Sequence, residues 1–276
     1  MAVRTHYEAH TLRSGGDELV VATAGKGQEA VLVAHGLLAS HLELAPLLDG
    51  LAAHGFAVIA PDLRGCGRSG GPRGHTSAPR AHEDIRVVLE WARDRGLDLK
   101  GAVGHSLGAA YLLYAAAHGT SLRRLVLAAP PASIRAELKP GELLAYRAGH
   151  AVNRVWMRLG FPSLRVPYRV DEEDTVEDPV LRREAASLDF LQDTVPLTNV
   201  PTLLAVDALA WARDVHVPAL FLASDTDRVV KTASTRAVYD AYAGPKEWRS
   251  IPGGHSVYFD AHRADAITAT AAWLRG

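Results

Sequence analysis

The chain has 276 residues, within the range of a single α/β domain, and its 48% apolar and 22% charged residues are those of a globular protein. A formal charge of −1 gives no electrostatic case for nucleic acid or an anionic membrane surface as a partner. The single cysteine, Cys66, excludes an intramolecular disulfide and a zinc site built on thiolates.

The segment Met1 to Glu8 lacks the apolar h-region of a signal peptide, and no apolar run approaches the roughly 18 residues of a membrane span. A cytoplasmic protein without integral membrane association is therefore expected. Short apolar runs then alternate with helical patterns, the mark of a parallel sheet covered by helices. Asp17 to Ala24 predicts an early strand. Ala30 to Ala34 predicts a buried strand ending at His35-Gly36. Leu42 to His54 predicts a helix with Gly55 as its stop. Phe56 to Ala60 predicts the next strand, closed by Pro61-Asp62, and a Gly-rich loop runs from Gly65 to Gly74. Arg80 to Arg95 places Ile85, Val88, Leu89 and Ala92 at helical spacing. Leu99 to Val103 predicts a strand that runs into Gly104-His105-Ser106-Leu107-Gly108. Leu107 to His118 predicts a buried helix, and Arg124 to Ala129 a strand stopped by Pro130-Pro131.

The alternation breaks from Ser133 to Arg213, where no strand is evident. Leu143 to Leu159 is amphipathic, and Asp178-Pro179 and Val200-Pro201 read as helix starts. This material predicts a mainly helical cap over residues 133–213, between core segments 1–132 and 214–276. The strand–helix rhythm resumes with Val217 to Ala223, Thr232 to Tyr242, Glu247 to Ile251 and a final helix from Ala261 to Arg275.

Gly-x-Ser-x-Gly alone is a weak signal; its weight here comes from the strand before it and the helix after it. A sharp, strained turn in that setting lifts the Ser106 hydroxyl above the sheet, and Gly104 and Gly108 let neighbouring backbone approach. A serine hydroxyl needs a base, and the base needs a third group to orient it. His255 follows the last predicted strand, where parallel sheets place functional groups. His262 falls at the start of the last helix and reads as solvated. Asp227 and Asp225 compete for the acid. Asp227, with Val229 two places on, fits the loop register, while Asp225 reads as a residue that fixes the loop through backbone amides. The strand ending at Ala129 offers no carboxylate before Glu137. The oxyanion donors are expected at the backbone N–H groups of Leu107 and Leu37, the latter in the loop His35-Gly36-Leu37-Leu38-Ala39-Ser40. His35 reads as a structural residue of that loop, and Cys66 as a small buried residue.

With His35-Gly36-Leu37, Pro61-Asp62-Leu63-Arg64-Gly65-Cys66-Gly67-Arg68-Ser69-Gly70, Gly104-His105-Ser106-Leu107-Gly108, Asp227-Arg228-Val229-Val230 and Gly253-Gly254-His255, the chain resembles the α/β-hydrolase superfamily along nearly its whole length. Its flavour is similar to the monoacylglycerol lipase and lysophospholipase-like, serine aminopeptidase S33-type branch. The resemblance implies an α/β-hydrolase fold with a mostly parallel central sheet and a helical cap. It implies ester hydrolysis by a Ser106-His255-Asp227 triad, with no metal or organic cofactor, on a small-molecule ester with an apolar acyl group. The cap's Leu143, Leu144, Val152, Val155, Trp156, Leu159, Phe161, Leu188, Phe190, Leu191 and Trp211 suggest an apolar acyl pocket. The competing reading is an aminopeptidase of the proline iminopeptidase kind, with a cap carboxylate from Asp171-Glu172-Glu173-Asp174 for the substrate amine. A carbon–carbon bond hydrolase or a non-catalytic member shares most of these motifs, whereas Ser106 excludes the Asp-nucleophile chemistry of haloalkane dehalogenases.

Overall fold

A computed structural model describes residues 7–168, 171–188 and 191–276. The chain opens with β1 (Glu8–Ser14) and β2 (Asp17–Ala24), an antiparallel hairpin turned at Gly15-Gly16. There follow β3 (Glu29–Ala34), α1 (Ala45–Ala53), β4 (Ala57–Pro61), α2 (Ala78–Asp94), β5 (Asp98–His105), α3 (Leu107–Ala117) and β6 (Leu125–Ala128). Between β6 and the next strand of the large sheet lie α4 (Ile134–Glu137), α5 (Pro140–Arg158), β7 (Arg165–Pro167), α6 (Glu172–Thr175), α7 (Pro179–Ala186), β8 (Thr194–Pro196), α8 (Val200–Leu204) and α9 (Ala208–Ala212). The chain ends with β9 (Ala219–Ala223), α10 (Thr232–Ala241), β10 (Lys246–Ser250) and α11 (Arg263–Arg275).

Among the described residues, eight strands form one sheet in the order β1-β2-β4-β3-β5-β6-β9-β10. Pairing is antiparallel from β1 to β4 and parallel from β4 to β10. Residues alternate between the two faces, as strand geometry requires. Leu32, Ala102, Leu127 and Phe221 enter the core under α2 and α3, while Val33, Val103, Val126 and Leu222 enter the core under α1 and α11. Burial on both faces explains why these central strands read as continuous apolar runs. The result is the α/β-hydrolase architecture, with the loops after β3, β5, β9 and β10 at one edge.

Several elements differ from the sequence expectation. The strand β1 escapes a reading by hydrophobicity because it is an edge strand whose residues, apart from Ser14, stay exposed or half-buried. The helix expected from Leu42 starts instead as a 3₁₀ turn, His41–Leu44, capped by Ser40. It restarts as α1 with Pro46 in its first turn, where the missing N–H costs no bond. The strand-free stretch holds a two-stranded sheet, with Val166 of β7 opposite Val195 of β8. Three residues per strand are too few to show a period.

The amphipathic helix is α5, but its apolar face points outward. Leu144, Val152, Val155 and Leu159 are 70%, 61%, 57% and 68% exposed, and the Trp156 and Phe161 rings stack on the surface with centroids 4.1 Å apart. The inward face is mixed: Leu143 and Tyr146 pack against Leu197, Val200 and Leu204, and the residues after them are polar. Asn153 is fully buried, donating to Ser163 Oγ at 3.2 Å and accepting the Leu164 N–H at 2.7 Å, and His150 Nδ1 bonds the Leu197 carbonyl at 2.9 Å. The hydrogen bonds of Asn153 and His150 and the packing of Leu143 and Tyr146 together hold this face of the helix inward. The expected acyl pocket of cap residues is corrected accordingly: of those described, Leu191 alone reaches the cavity that holds Ser106. Leu188 packs with Val176, Ala185 and Phe259, Leu143 beside Leu197 and Leu204, and Trp211 edge-on to Tyr114. Phe190 lies outside the described residues. No described helix is long and apolar enough to cross a membrane.

Candidate active site

The loop after β5 is a one-residue elbow. Ser106 has φ 53° and ψ −122°, a conformation that an L-residue with a side chain adopts only under constraint. Its amide donates to the Ala128 carbonyl of β6 at 2.8 Å, and α3 begins at the next residue. The flanking glycines are sterically required. A Cβ on Gly104 would lie 2.6 Å from the Ala109 backbone, and one on Gly108 would lie 2.4 Å from the carbonyls of Ala34 and His35. Gly108 thus lets the elbow press against the loop after β3. Leu107 is the first residue of α3, so its N–H has no intrahelical acceptor and projects beside Ser106.

The loop after β3 is built on buried polar groups. His35 accepts the Leu63 N–H at Nε2 (3.0 Å), so its proton sits on Nδ1, which donates to the Gly36 carbonyl at 2.8 Å. Both ring nitrogens are consumed, as expected of a structural histidine. Leu37 lines the cavity, and Leu38 carries the loop's strain at φ 58°.

The loops after β9 and β10 meet through Asp227 and His255. Asp227 Oδ2 lies 2.7 Å from His255 Nδ1, and its Oδ1 accepts the amides of Val229 (2.9 Å) and Val230 (2.8 Å). Asp227 therefore fixes its own loop and the imidazole together. Asp225 does not hold backbone amides as expected; it accepts the Ser250 hydroxyl at 2.9 Å in an exposed position. Ser224 and Thr226 both donate to the Gly253 carbonyl, which joins the two loops a second time. His262 is half-exposed and pairs with Asp265, in line with its solvated reading.

Sequence reasoning missed Asp260. It is buried and accepts four amides: Gly254 and Glu177 on one oxygen, Asp178 and Ala261 on the other, at 2.8 to 3.1 Å. Those bonds hold its carboxyl below the usual range despite the opposing effect of burial. Asp260 pins the His255 loop to the start of α7. The acidic stretch considered for a substrate amine also belongs here. The carbonyls of Asp174 and Thr175 accept the amides of His255 and Ser256, while the side chains of Glu173 and Asp174 pair with Arg182 and Arg228.

Ser106 and His255 line one cavity of about 240 Å³, with Leu37, Glu43, Tyr168, Val229 and Phe259 among its walls. A second pocket of about 80 Å³ is lined almost wholly by apolar side chains, including Ile134, Leu138, Val166, Val195 and Leu203. Leu37 and Tyr168 belong to both walls. Cys66 reaches neither; it is buried, and burial pushes its thiol up to about 12, which makes it an inert packing residue.

Comparison with known proteins agrees with this architecture. The serine aminopeptidase S33 family matches residues 25–262. A stretch of 123 residues is 36% identical to a non-heme chloroperoxidase of Streptomyces lividans, covering 40% of this chain and 42% of that one. The chain spans less than half the length of the first curated relatives it matches. Among solved structures, an alpha/beta hydrolase from Penicillium sp. sh18 superposes with TM-score 0.82 at 17% identity over 98% of each chain. A monoacylglycerol lipase from Paleococcus ferrophilus superposes with TM-score 0.78 at 22% identity, covering 93% of this chain and 98% of that one. Matched over most of its length and folded as this sheet order requires, the chain belongs to the serine aminopeptidase S33 family of α/β hydrolases.

Proposed function

We propose that this hydrolase is a carboxylic ester hydrolase that cleaves small esters of apolar acyl groups, monoacylglycerol and lysophospholipid among the candidates, through an acyl-enzyme on Ser106. The reading rests on one observation above others: the cavity shared by Ser106 and His255 adjoins a second, apolar pocket across Leu37 and Tyr168. The first space fits a polar ester group and its alcohol; the second fits a hydrocarbon chain.

In this mechanism His255 takes the Ser106 hydroxyl proton as Oγ bonds to the ester carbonyl carbon. The amides of Leu37 and Leu107 receive the oxygen that becomes negative. The carbon–oxygen bond to the alcohol then breaks, and the alcohol leaves with the proton from His255. Water repeats both steps on the acyl-enzyme and releases the acid. Asp227, at 2.7 Å, keeps the His255 proton on Nδ1 so that Nε2 is free to act as base. Residues 133–213 serve as the cap between core segments 1–132 and 214–276, with α9 packed on α3 and α10 at the core end of the cap.

The aminopeptidase alternative needs a free carboxylate for the substrate's ammonium group. The carboxylate that lines the cavity, Glu43, already bonds Gly36 N and His105 Nδ1, and Glu173 and Asp174 are paired with arginines. A panel of p-nitrophenyl acyl esters and proline anilides tests the proposal, with Ser106→Ala as control. Ester turnover that disappears in Ser106→Ala is expected. Turnover of the anilides alone would overturn the ester reading.

A further inference from the structure

The mechanism above leaves a buried carboxylate–histidine pair beside the nucleophile unused. Glu43 lies in the 3₁₀ turn after β3, and His105 is the last residue of β5. Glu43 Oε2 accepts the Gly36 N–H at 2.6 Å, and its Oε1 lies 3.2 Å from His105 Nδ1. At the other edge of the ring, His105 Nε2 lies 3.1 Å from the His255 carbonyl oxygen. His105 is fully buried.

The protons in this chain can be assigned from chemistry. A backbone carbonyl only accepts, so His105 Nε2 must carry a hydrogen. The Gly36 amide only donates, so Glu43 Oε2 must be an acceptor. A hydrogen bond between His105 Nδ1 and Glu43 Oε1, 3.2 Å apart, needs one further proton. Burial opposes charge on both groups, yet the Glu43 charge and hydrogen bond hold His105 above the ordinary imidazole range and those of His105 hold Glu43 below the carboxylate range, so both directions favour that proton on the ring. The other titratable groups facing the pair are His35 and Tyr168 toward Glu43, and Asp227 and His255 toward His105.

We propose that Glu43 and His105 form a buried carboxylate–imidazolium clamp that holds the oxyanion loop and the His255 loop at a fixed spacing on either side of Ser106. One end of the clamp grips the amide of Gly36, the residue before the expected donor Leu37. The other end grips the carbonyl of the base itself. The carboxylate stands at the nucleophile: a Cβ on Gly36 would lie 2.9 Å from Glu43 Oε1 and 3.4 Å from Ser106 Cβ. Glu43 and His105 are positioning residues. The inference rests on the Ser106–His255–Asp227 reading of the site.

Two variants separate charge from connection. Glu43→Ala removes both links. Glu43→Gln keeps both: its amide oxygen accepts from Gly36 and its NH₂ donates to a neutral His105, protonated on Nε2. With a soluble p-nitrophenyl ester, Glu43→Ala is expected to lower kcat by roughly 10- to 100-fold with little change in KM, the cost of misplaced reacting groups. Glu43→Gln is expected to recover most of that loss. Long-range nitrogen–proton NMR of the wild-type protein at neutral pH is expected to show one histidine with both ring nitrogens protonated, assigned by its loss in His105→Gln. In Glu43→Gln the same ring is expected to show a bare Nδ1. A bare Nδ1 on His105 in the wild type overturns the clamp, as does a folded Glu43→Ala with unchanged kcat. The NMR result decides the matter even where Glu43→Ala does not fold. Ester turnover that survives Ser106→Ala would overturn the underlying site reading instead, so the two failures are distinguishable.

Discussion

Asp227→Asn is the sharpest test of the acid at this site. Asparagine is nearly isosteric and keeps a carbonyl oxygen for the amides of Val229 and Val230, now bound at 2.9 and 2.8 Å. It puts an NH₂ group where the carboxylate oxygen now meets His255 Nδ1 at 2.7 Å. Two donors then face each other, and the ring relieves the conflict by moving its proton to Nε2. That nitrogen can no longer accept the Ser106 proton. A wrong-tautomer base costs about 10⁴ in kcat in a serine triad, which is about 5.5 kcal/mol of barrier at ~1.36 kcal/mol per tenfold. The fold should lose far less, about 1–3 kcal/mol, because the loop's own bonds survive. Burst-phase kinetics with p-nitrophenyl butyrate, alongside near-ultraviolet circular dichroism, read both quantities. Asp225→Asn is the control and should act like wild type, since Asp225 holds only the Ser250 hydroxyl at the exposed edge. A folded Asp227→Asn protein that keeps more than about a tenth of its activity would refute the tautomer argument.

Other outcomes follow from the same geometry. Ser106→Gly should be more stable than Ser106→Ala by roughly 1 kcal/mol, because glycine tolerates the φ of 53° that alanine does not; thermal unfolding of the two inactive variants compares them directly. Asp260→Asn should destabilise the protein by about 1–3 kcal/mol at neutral pH, since one oxygen is lost to two buried amides. The Asp260 carboxyl is held below its ordinary value, so its contribution is present above the usual aspartate range and lost as pH falls through the lowered one; the gap between variant and wild type in urea midpoints should close in acid. Tyr168→Ala should join the two cavities and shift the preference in a p-nitrophenyl ester series toward longer acyl chains. Cys66, with its thiol raised to about 12, should resist iodoacetamide at mildly alkaline pH until denaturant is added, as mass spectrometry would show.

Legibility in the sequence followed the range of the interaction. The central strands were legible because burial on both faces leaves continuous apolar runs such as Ala30 to Ala34 and Ala219 to Ala223. The Ser106 elbow was legible because its constraints are local: two glycines, a strand before and a helix after. The position of His255, directly after a strand, was legible for the same reason. The clamp was not, because Glu43 and His105 are 62 residues apart and nothing near either one signals the other. Asp260 meets Glu177 and Asp178 across 83 and 82 residues. Asp225 and Asp227 both stood in the right loop; the loop register favoured Asp227, and in the folded loop it is Asp227 that turns inward onto His255.

The sequence by itself determined the central strands, the main core helices and the three residues on which the proposed chemistry rests, because a strand's burial and a tight turn's sterics are written in neighbouring residues. Tertiary structure decided the rest. It turned the apolar stripe of α5 toward solvent, since the opposite face found its partners inside, through the hydrogen bonds of Asn153 and His150 and the packing of Leu143 and Tyr146. It also made the pocket beside Ser106 from Leu37, Tyr168 and Leu191, residues of separate segments that meet only when the chain between β6 and β9 closes over the sheet. The physical reason is the same in both cases: helical periodicity states that a face is apolar, but what covers that face depends on partners distant in the chain.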